Sequence, residues 1–400
     1  MTKRKRTHVD DLRGASRLAV EATQGLTDLV EAMHRTIAGG PTILGRPLEG
    51  PARLLTAPIY GSIRVVTQVV GAGIDLALAQ LAPLLGESTA GPEREAVRAV
   101  LNGVLGDYLS ETGNPLAIAM RLRHAGRPLE LERDELHAAL PQAARKLLVL
   151  VHGSSRNDLQ WNRHGHDHGA ALARDLGYTP VYLHYNSGLH VSTNGHAFAA
   201  LLEQITRAWP TPLEGIVIIG HSMGGLVARS ACHSAEAASH GWRRSLRKLI
   251  CLGSPHHGAP LERRGSWLHF LLGVSRYSAP LARLGRIRSA GVTDLRFGNV
   301  LDEHWEGRDR FALSGDPRQQ LALPDGVECY AIAATNAHEA SGELPGDGLV
   351  PVDSALGRHA KAELTLGFPD ANQRIAYGMG HLDLLDRAEV YAQVKEWVSR

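Results

Sequence analysis

The pentapeptide Gly220-His221-Ser222-Met223-Gly224 fits the pattern G-x-S-x-G, which places a serine on a tight turn. An apolar run precedes it at Ile216–Ile219, and a helical pattern follows at Leu226–Ala238. Such a turn holds Oγ at the carboxyl end of a strand, and the flanking glycines avoid collisions with neighbouring backbone. The helix that begins there directs N–H groups towards developing negative charge. We therefore predict that Ser222 is a nucleophile.

A serine nucleophile needs a base and an orienting carboxylate, and both have candidates near the C-terminus. His381 stands out among 21 histidines because glycines surround it in Gly378-Met379-Gly380-His381. Asp347 lies in a glycine-flanked loop after an apolar run, and the chain order serine, aspartate, histidine is the one expected for this chemistry. Asp353, on the same segment, is the alternative acid.

An oxyanion needs hydrogen-bond donors beside the nucleophile. The run Val149–Val151 ends in His152-Gly153-Ser154, where the glycine lets the backbone bend. The N–H groups of Ser154 and Met223 are the predicted donors, and the alternative is an ordinary loop at residue 154. We expect His256 and His257, after another predicted strand, to line the site.

The run His164-Gly165-His166-Asp167-His168 has residue types that bind zinc. It leads directly into a helical pattern, where Asp167 or His166 would serve as a capping residue. We therefore predict no metal there and expect the histidines to lie near a substrate channel.

Two regions differ in their patterns. Residues 1–113 have helical periodicity, with the clearest helix starting at Pro92, and no strand interrupts them. Residues 114–400 alternate short apolar runs with helical stretches, which is typical of a mostly parallel sheet covered on both faces. A hairpin is predicted around Ala125-Gly126, and a helical, lid-like insertion over about 258–326. The predicted strands are Leu147–Val151, Val181–Tyr185, Ile216–Gly220, Leu249–Leu252, Cys329–Ala333 and Ile375–Tyr377.

Composition narrows the classes of partner and compartment. Lys plus Arg is 43 and Asp plus Glu is 41, so nothing favours a nucleic-acid partner. Three separated cysteines predict no disulfide framework, which suits a reducing compartment. Neither a signal peptide nor a membrane-spanning segment is expected, so we predict a cytoplasmic protein. The basic residues Lys3–Arg6 leave open a weak contact between the N-terminal helices and a lipid surface.

Together the segments GHSMGG, LVHGS, LGSPHHG, GDGLVP and GHLDLL resemble the bacterial lipases and esterases of the α/β-hydrolase superfamily. They are also similar to the α/β domain of the inositol deacylases that trim GPI anchors. The resemblance covers about residues 116–400. It implies an α/β-hydrolase fold and a carboxylic-ester hydrolase that forms an acyl-enzyme without a cofactor. By motif it assigns the triad to Ser222, Asp347 and His381 and the oxyanion donors to Ser154 and Met223.

Some of these lipases bind calcium through an aspartate two residues after the catalytic histidine, which Asp383 matches. Arg387 stands where another oxygen ligand would be wanted, so no calcium is expected. The substrate is expected to be a small-molecule or lipid ester. Two other functions remain open: an acyltransferase or amidase with the same triad, and a surface-binding protein built on a hydrolase fold.

Overall fold

The structure is a computed structural model of the chain. It describes residues 12–21, 23–24, 65, 68, 72, 91–259, 289–309, 316, 318–340 and 344–400. The basic segment 3–6 and most of the helical pattern before residue 91 therefore lie outside the described residues. So does about half of the predicted lid-like insertion. Within the described residues, no helix has both the length and the apolar character needed to cross a bilayer.

The chain forms two compact units, residues 1–91 with 109–117, and residues 92–108 with 118–400. In the first unit, residues 12–21 are helical, and the Asn114 amide donates a hydrogen bond to the Gly14 carbonyl (3.1 Å). The predicted helix at Pro92 is present as α1, Pro92–Glu111. The grouping differs from the predicted division at residue 113, because most of α1 belongs to the second unit.

The second unit contains one sheet of eight strands in the order β2-β1-β4-β3-β5-β6-β7-β8. Strands β3 to β8 run parallel to one another, and β1 pairs antiparallel with both β2 and β4. The strands are β1 Arg121–His124, β2 Arg127–Pro128, β3 Lys146–Val151, β4 Thr179–His184, β5 Gly215–His221, β6 Leu246–Leu252, β7 Glu328–Thr335 and β8 Gln373–Tyr377.

Helices connect the strands and cover the sheet. They are α2 Arg133–Ala139, α3 His168–Leu176, α4 Val191–Ala208, α5 Met223–Ala237, α6 Ala290–Asp294, α7 Val352–Ala355 and α8 Ala388–Ser399. Short 3₁₀ turns include Asp158–Trp161, Asp302–His304 and Asp383–Leu385. Of the predicted insertion, the described part contains α6 and the turn Asp302–His304.

The apolar runs of the central strands are continuous because both faces of the sheet are buried. In β3, Leu147, Val149 and Val151 belong to one core cluster, and Leu148 and Leu150 belong to the other. The first cluster includes side chains of α4 and α5, and the second includes side chains of α3 and α8. Since parallel strands end at the same edge, the loops after β3, β5, β6, β7 and β8 gather there.

Candidate active site

Ser222 lies between the last residue of β5 and the first residue of α5, as predicted. Its φ of 54° and ψ of −125° are rare for a residue with a side chain, and they mark a strained turn. The Ser222 N–H donates to the Leu252 carbonyl at the end of β6 (2.8 Å), and the Gly225 N–H donates to the Ser222 carbonyl (3.1 Å). These bonds hold the serine backbone against the adjacent strand.

Two glycines of the pentapeptide are required by close approach. A Cβ on Gly224 would lie 2.2 Å from the Val151 carbonyl oxygen at the end of β3. A Cβ on Gly220 would lie 2.5 Å from the Gly225 nitrogen. The helix can therefore start directly behind the serine and against the central strand only if both positions lack a side chain.

His381 and Asp347 are in direct contact although 34 residues separate them. The His381 Nδ1–H donates to Asp347 Oδ2 (2.6 Å), and both residues are buried. Asp347 Oδ1 accepts the N–H groups of Leu349 (2.9 Å) and Val350 (2.8 Å). A carboxylate held at both oxygens fixes the tautomer and the orientation of the imidazole. The alternative acid, Asp353, is exposed on α7.

Ser222 and His381 line the same pocket. Ser222 is half-buried and the histidine is buried, so the serine is the more accessible of the two. The other described lining residues form a polar group and an aliphatic group: Gly153, Ser154, Arg156 and His221, and Pro255, Ala259, Leu295, Leu349 and Val350.

His256 and His257 were expected to line the site, and this expectation is wrong. Neither is among the described residues that line the pocket. His256 Nδ1 lies 3.3 Å from Arg229 Nη1, and the His257 Nε2–H donates to the Gly357 carbonyl (3.0 Å). The two side chains therefore bond to other parts of the chain, although their backbone follows β6 as predicted.

Both predicted oxyanion donors belong to backbone segments next to the serine. Met223 is the first residue of α5, where a backbone N–H has no acceptor within the helix. On the other side, a Cβ on Gly153 would lie 2.9 Å from the Ser222 Cβ. The loop that carries Ser154 therefore passes directly beside the nucleophile.

His152 orients that loop, a role that the sequence did not reveal. Its Nδ1–H donates to the Gly153 carbonyl (2.8 Å). In a trans peptide the C=O and N–H point in opposite directions, so the Ser154 N–H points away from the imidazole. The ring stacks on Tyr185 (4.3 Å between centroids), whose hydroxyl donates to the His152 carbonyl (2.8 Å). Burial lowers the pKa of His152 to about 3, so the ring is neutral.

His221, directly before the nucleophile, connects the serine turn to the His381 loop. Its Nε2–H donates to the His381 carbonyl (3.2 Å), and the two rings lie 4.7 Å apart. Burial, followed by the proximity of His381, lowers the pKa of His221 well below its usual value. A neutral His221 can thus keep its single N–H on the carbonyl.

The histidine run 164–168 is used in hydrogen bonds with protein atoms. The His168 Nε2–H donates to the Leu384 carbonyl (2.9 Å), and its Nδ1 accepts from His166 Nε2 (2.8 Å). Asp167 caps α3 by accepting the Ala170 N–H (2.9 Å), in line with the expected capping role. Across the described ranges, no group of three or more His, Cys, Asp or Glu side chains is arranged to hold a metal ion.

The aspartate that matches the calcium position, Asp383, also has protein partners. Its Oδ2 accepts the Gly380 N–H (2.9 Å), and its Oδ1 lies 3.8 Å from Arg163 Nη2. These contacts hold the loop that carries His381.

Part of the chain matches a known protein family. The sequence model of the family described as PGAP1-like alpha/beta domain matches residues 187–314. This segment includes the Ser222 turn and ends before Asp347. No curated protein sequence matches the chain.

Several solved structures are similar to the chain at low identity. The Bacillus licheniformis lipase BlEst2 in mature form is 15% identical, with 70% of this chain and 97% of that chain covered and a TM-score of 0.40. The Aspergillus fumigatus lipase B is 12% identical, with 99% of this chain and 86% of that chain covered and a TM-score of 0.43. The Pyrococcus furiosus esterase Pf2001 is 13% identical, with 64% of this chain and 83% of that chain covered and a TM-score of 0.36. The strand order, the serine turn after β5 and the family match confirm the predicted α/β-hydrolase fold.

Proposed function

We propose that the protein is a serine hydrolase that cleaves carboxylic esters through an acyl-enzyme on Ser222. The observation that carries this proposal is the 2.6 Å contact between His381 Nδ1 and Asp347 Oδ2, because His381 lines the same pocket as Ser222. An imidazole oriented in this way has its Nε2 lone pair available as a general base. The substrates are small-molecule or lipid-derived esters.

In the proposed reaction, His381 Nε2 takes the proton of the Ser222 hydroxyl while Oγ attacks the ester carbonyl carbon. The N–H groups of Ser154 and Met223 donate to the oxyanion of the tetrahedral intermediate. His381 then gives the proton to the departing alkoxide, which leaves as the alcohol. A water molecule, deprotonated by the same histidine, then attacks the acyl-enzyme. His381 returns this proton to Ser222 Oγ as the acyl C–O bond breaks and the acid leaves.

Two neutral histidines support this reaction without taking part in proton transfer. His152 orients the peptide that carries the Ser154 N–H, and His221 holds the carbonyl of His381. Neither is expected to exchange protons during the reaction, because burial keeps both neutral over the physiological range. Proton transfer in the proposed mechanism therefore depends on His381 alone.

Hydrolysis of 4-nitrophenyl esters of increasing chain length tests the proposal. We expect the wild-type protein to hydrolyse at least one ester and Ser222→Ala to lose on the order of 10⁴-fold or more in kcat. Ser399→Ala, an exposed serine in α8, is the matched control and should retain wild-type rates. Near-normal turnover by folded Ser222→Ala would refute the proposal.

A further inference from the structure

We propose that the enzyme prefers esters that carry a second, ionised carboxyl group, and that Arg156 binds this group. The inference rests on the proposed ester hydrolysis and specifies its substrate class. Arg156 follows Gly153 by three residues and lines the same pocket as Ser222 and His381. A substrate that reaches the serine therefore enters a pocket whose wall includes Arg156.

Arg156 carries its charge in a place where an anion would stabilise it. The residue is only 8% exposed. Burial, followed by repulsion from Arg163, lowers the pKa of Arg156 to about 10, so the side chain remains a cation at neutral pH. A charge-assisted hydrogen bond is stronger in such a poorly solvated position than in water.

A guanidinium group can donate to several partners at once. Arg156 interacts with other groups of the protein, but it has five N–H donors in a planar fork. Two parallel N–H groups match the two oxygens of a carboxylate. One buried cation neutralises one carboxylate, whereas a doubly charged phosphate would leave a negative charge in excess.

A second pocket beside the first supplies further donors. It shares Gly153, Arg156 and His221 with the catalytic pocket. Asn157 and Trp161 also line it, and both are 1% exposed. Asn157 Nδ2 and Trp161 Nε1 are buried and form no hydrogen bond with any part of the chain that the structure describes.

Such buried donors are normally satisfied, which indicates that a ligand or water completes this pocket. A carboxylate accepts several hydrogen bonds, and a cation with two adjacent N–H groups is suited to it. His152 Nε2, which is an acceptor and also lacks a partner among the described residues, suits a water molecule that accompanies the carboxylate.

The remainder of the catalytic pocket suits hydrocarbon. The side chains of Pro255, Ala259, Leu295, Leu349 and Val350 line it. A ligand that matches both the apolar lining and Arg156 has an apolar chain and one terminal negative charge. The ester of a dicarboxylic acid with one free carboxylate has this composition.

Two matched series of 4-nitrophenyl esters test the inference. One contains the monoesters of adipic, suberic and sebacic acids, and the other contains the esters of hexanoic, octanoic and decanoic acids. The wild-type kcat/KM should be at least tenfold higher for the charged member of at least one pair. Arg156→Gln should lower this ratio at least tenfold. Arg145→Gln, an exposed arginine before the opposite end of β3, should keep the wild-type ratio.

A binding measurement separates this inference from the proposed function. Calorimetry with Ser222→Ala compares the uncleavable N-methyl monoamide of suberic acid with N-methyloctanamide. Tighter binding of the charged amide, weakened when Arg156→Gln is added, supports the inference even if no ester is hydrolysed. Hydrolysis of both series at equal rates, or equal binding of the two amides, would overturn it and leave the proposed function intact.

Discussion

At the scale of single residues, the candidate site depends on a strained serine backbone and on side chains held in fixed orientations. Holding Ser222 at a positive φ costs roughly 1–3 kcal/mol, which the surrounding structure must offset. The absence of side chains at Gly220 and Gly224 lets α5 and the end of β3 pack tightly around the turn. The serine is thereby presented at the pocket in one conformation, as a nucleophile requires.

Asp347, and not Asp353, is expected to orient His381. Replacing Asp347 by Asn should lower kcat by about 10⁴-fold, because the imidazole loses its fixed tautomer. Asp353→Asn should change kcat by less than about threefold, since that side chain is exposed on α7. Steady-state kinetics on one ester compares the two variants. The reverse ranking would contradict the assignment of the acid.

The sequence predicted some residues of the candidate site better than others. The glycines around Ser222 are a pattern in the chain itself, so residue types alone were enough to locate the turn. Asp347 and Asp353 follow the same strand, and only the loop geometry separates a buried carboxylate from an exposed one. The roles of His152 and His221 were missed because each bonds to a backbone carbonyl, which leaves no pattern of residue types.

At the scale of elements, the centres of the strands were predicted better than their ends. β6 begins at Leu246, three residues before the predicted start at Leu249. The reason is Lys248, a charged residue within a buried strand. Its Nζ donates to the Trp397 carbonyl (2.7 Å) and lies 3.3 Å from Glu328 Oε2. A hydrophobic run cannot anticipate a charge that the tertiary structure pairs.

Asp175 joins α3 and α8, the two helices whose side chains belong to the same core cluster. This residue of α3 accepts hydrogen bonds from Tyr391 (2.7 Å) and Lys395 (2.9 Å) of α8. These bonds, with that from Lys395 foremost, and a further one from Arg174 lower the pKa of Asp175. The folded state therefore binds the proton less readily than the unfolded state, and the contact stabilises the fold at pH values above about 3.9.

We accordingly expect Asp175→Asn to have a lower Tm than the wild type at pH 7. The difference should shrink as the pH falls below about 4, because the unfolded wild-type chain then binds a proton at Asp175 that the folded state binds only at a lower pH. Calorimetric melting from pH 7 to pH 3 measures it. Lys395→Met should give the same trend. A difference in Tm that is constant over this range would mean that the charge of Asp175 does not contribute to the stability of the fold.

At the scale of the whole molecule, most of α1 belongs to the same unit as the sheet, although its sequence continues the helical pattern of the N-terminal region. Glu95 of α1 is buried and lies 3.0 Å from Arg123 of β1, which also pairs with Asp158 at 3.0 Å. The amphipathic period of α1 predicted a helix, but it could not indicate which unit the helix belongs to. That depends on a salt bridge to a residue 28 positions away.

Two truncations test this boundary. Deleting residues 1–91 should leave a folded protein that retains ester hydrolysis. Deleting residues 1–113 should destabilise the sheet unit by more than about 3 kcal/mol, since it removes the buried apolar side chains Val100, Val104 and Leu105 of α1. Urea unfolding of both fragments measures the difference. Equal stability of the two fragments would place the boundary near residue 113, where the sequence predicted it.

The identity of Ser222 as the nucleophile is tested most directly by mass spectrometry after treatment with a fluorophosphonate. We expect one adduct per chain, on the tryptic peptide that contains Ser222, and no adduct in Ser222→Ala. An adduct on Ser154 or Ser254 in the wild-type protein, with Ser222 unmodified, would contradict this assignment.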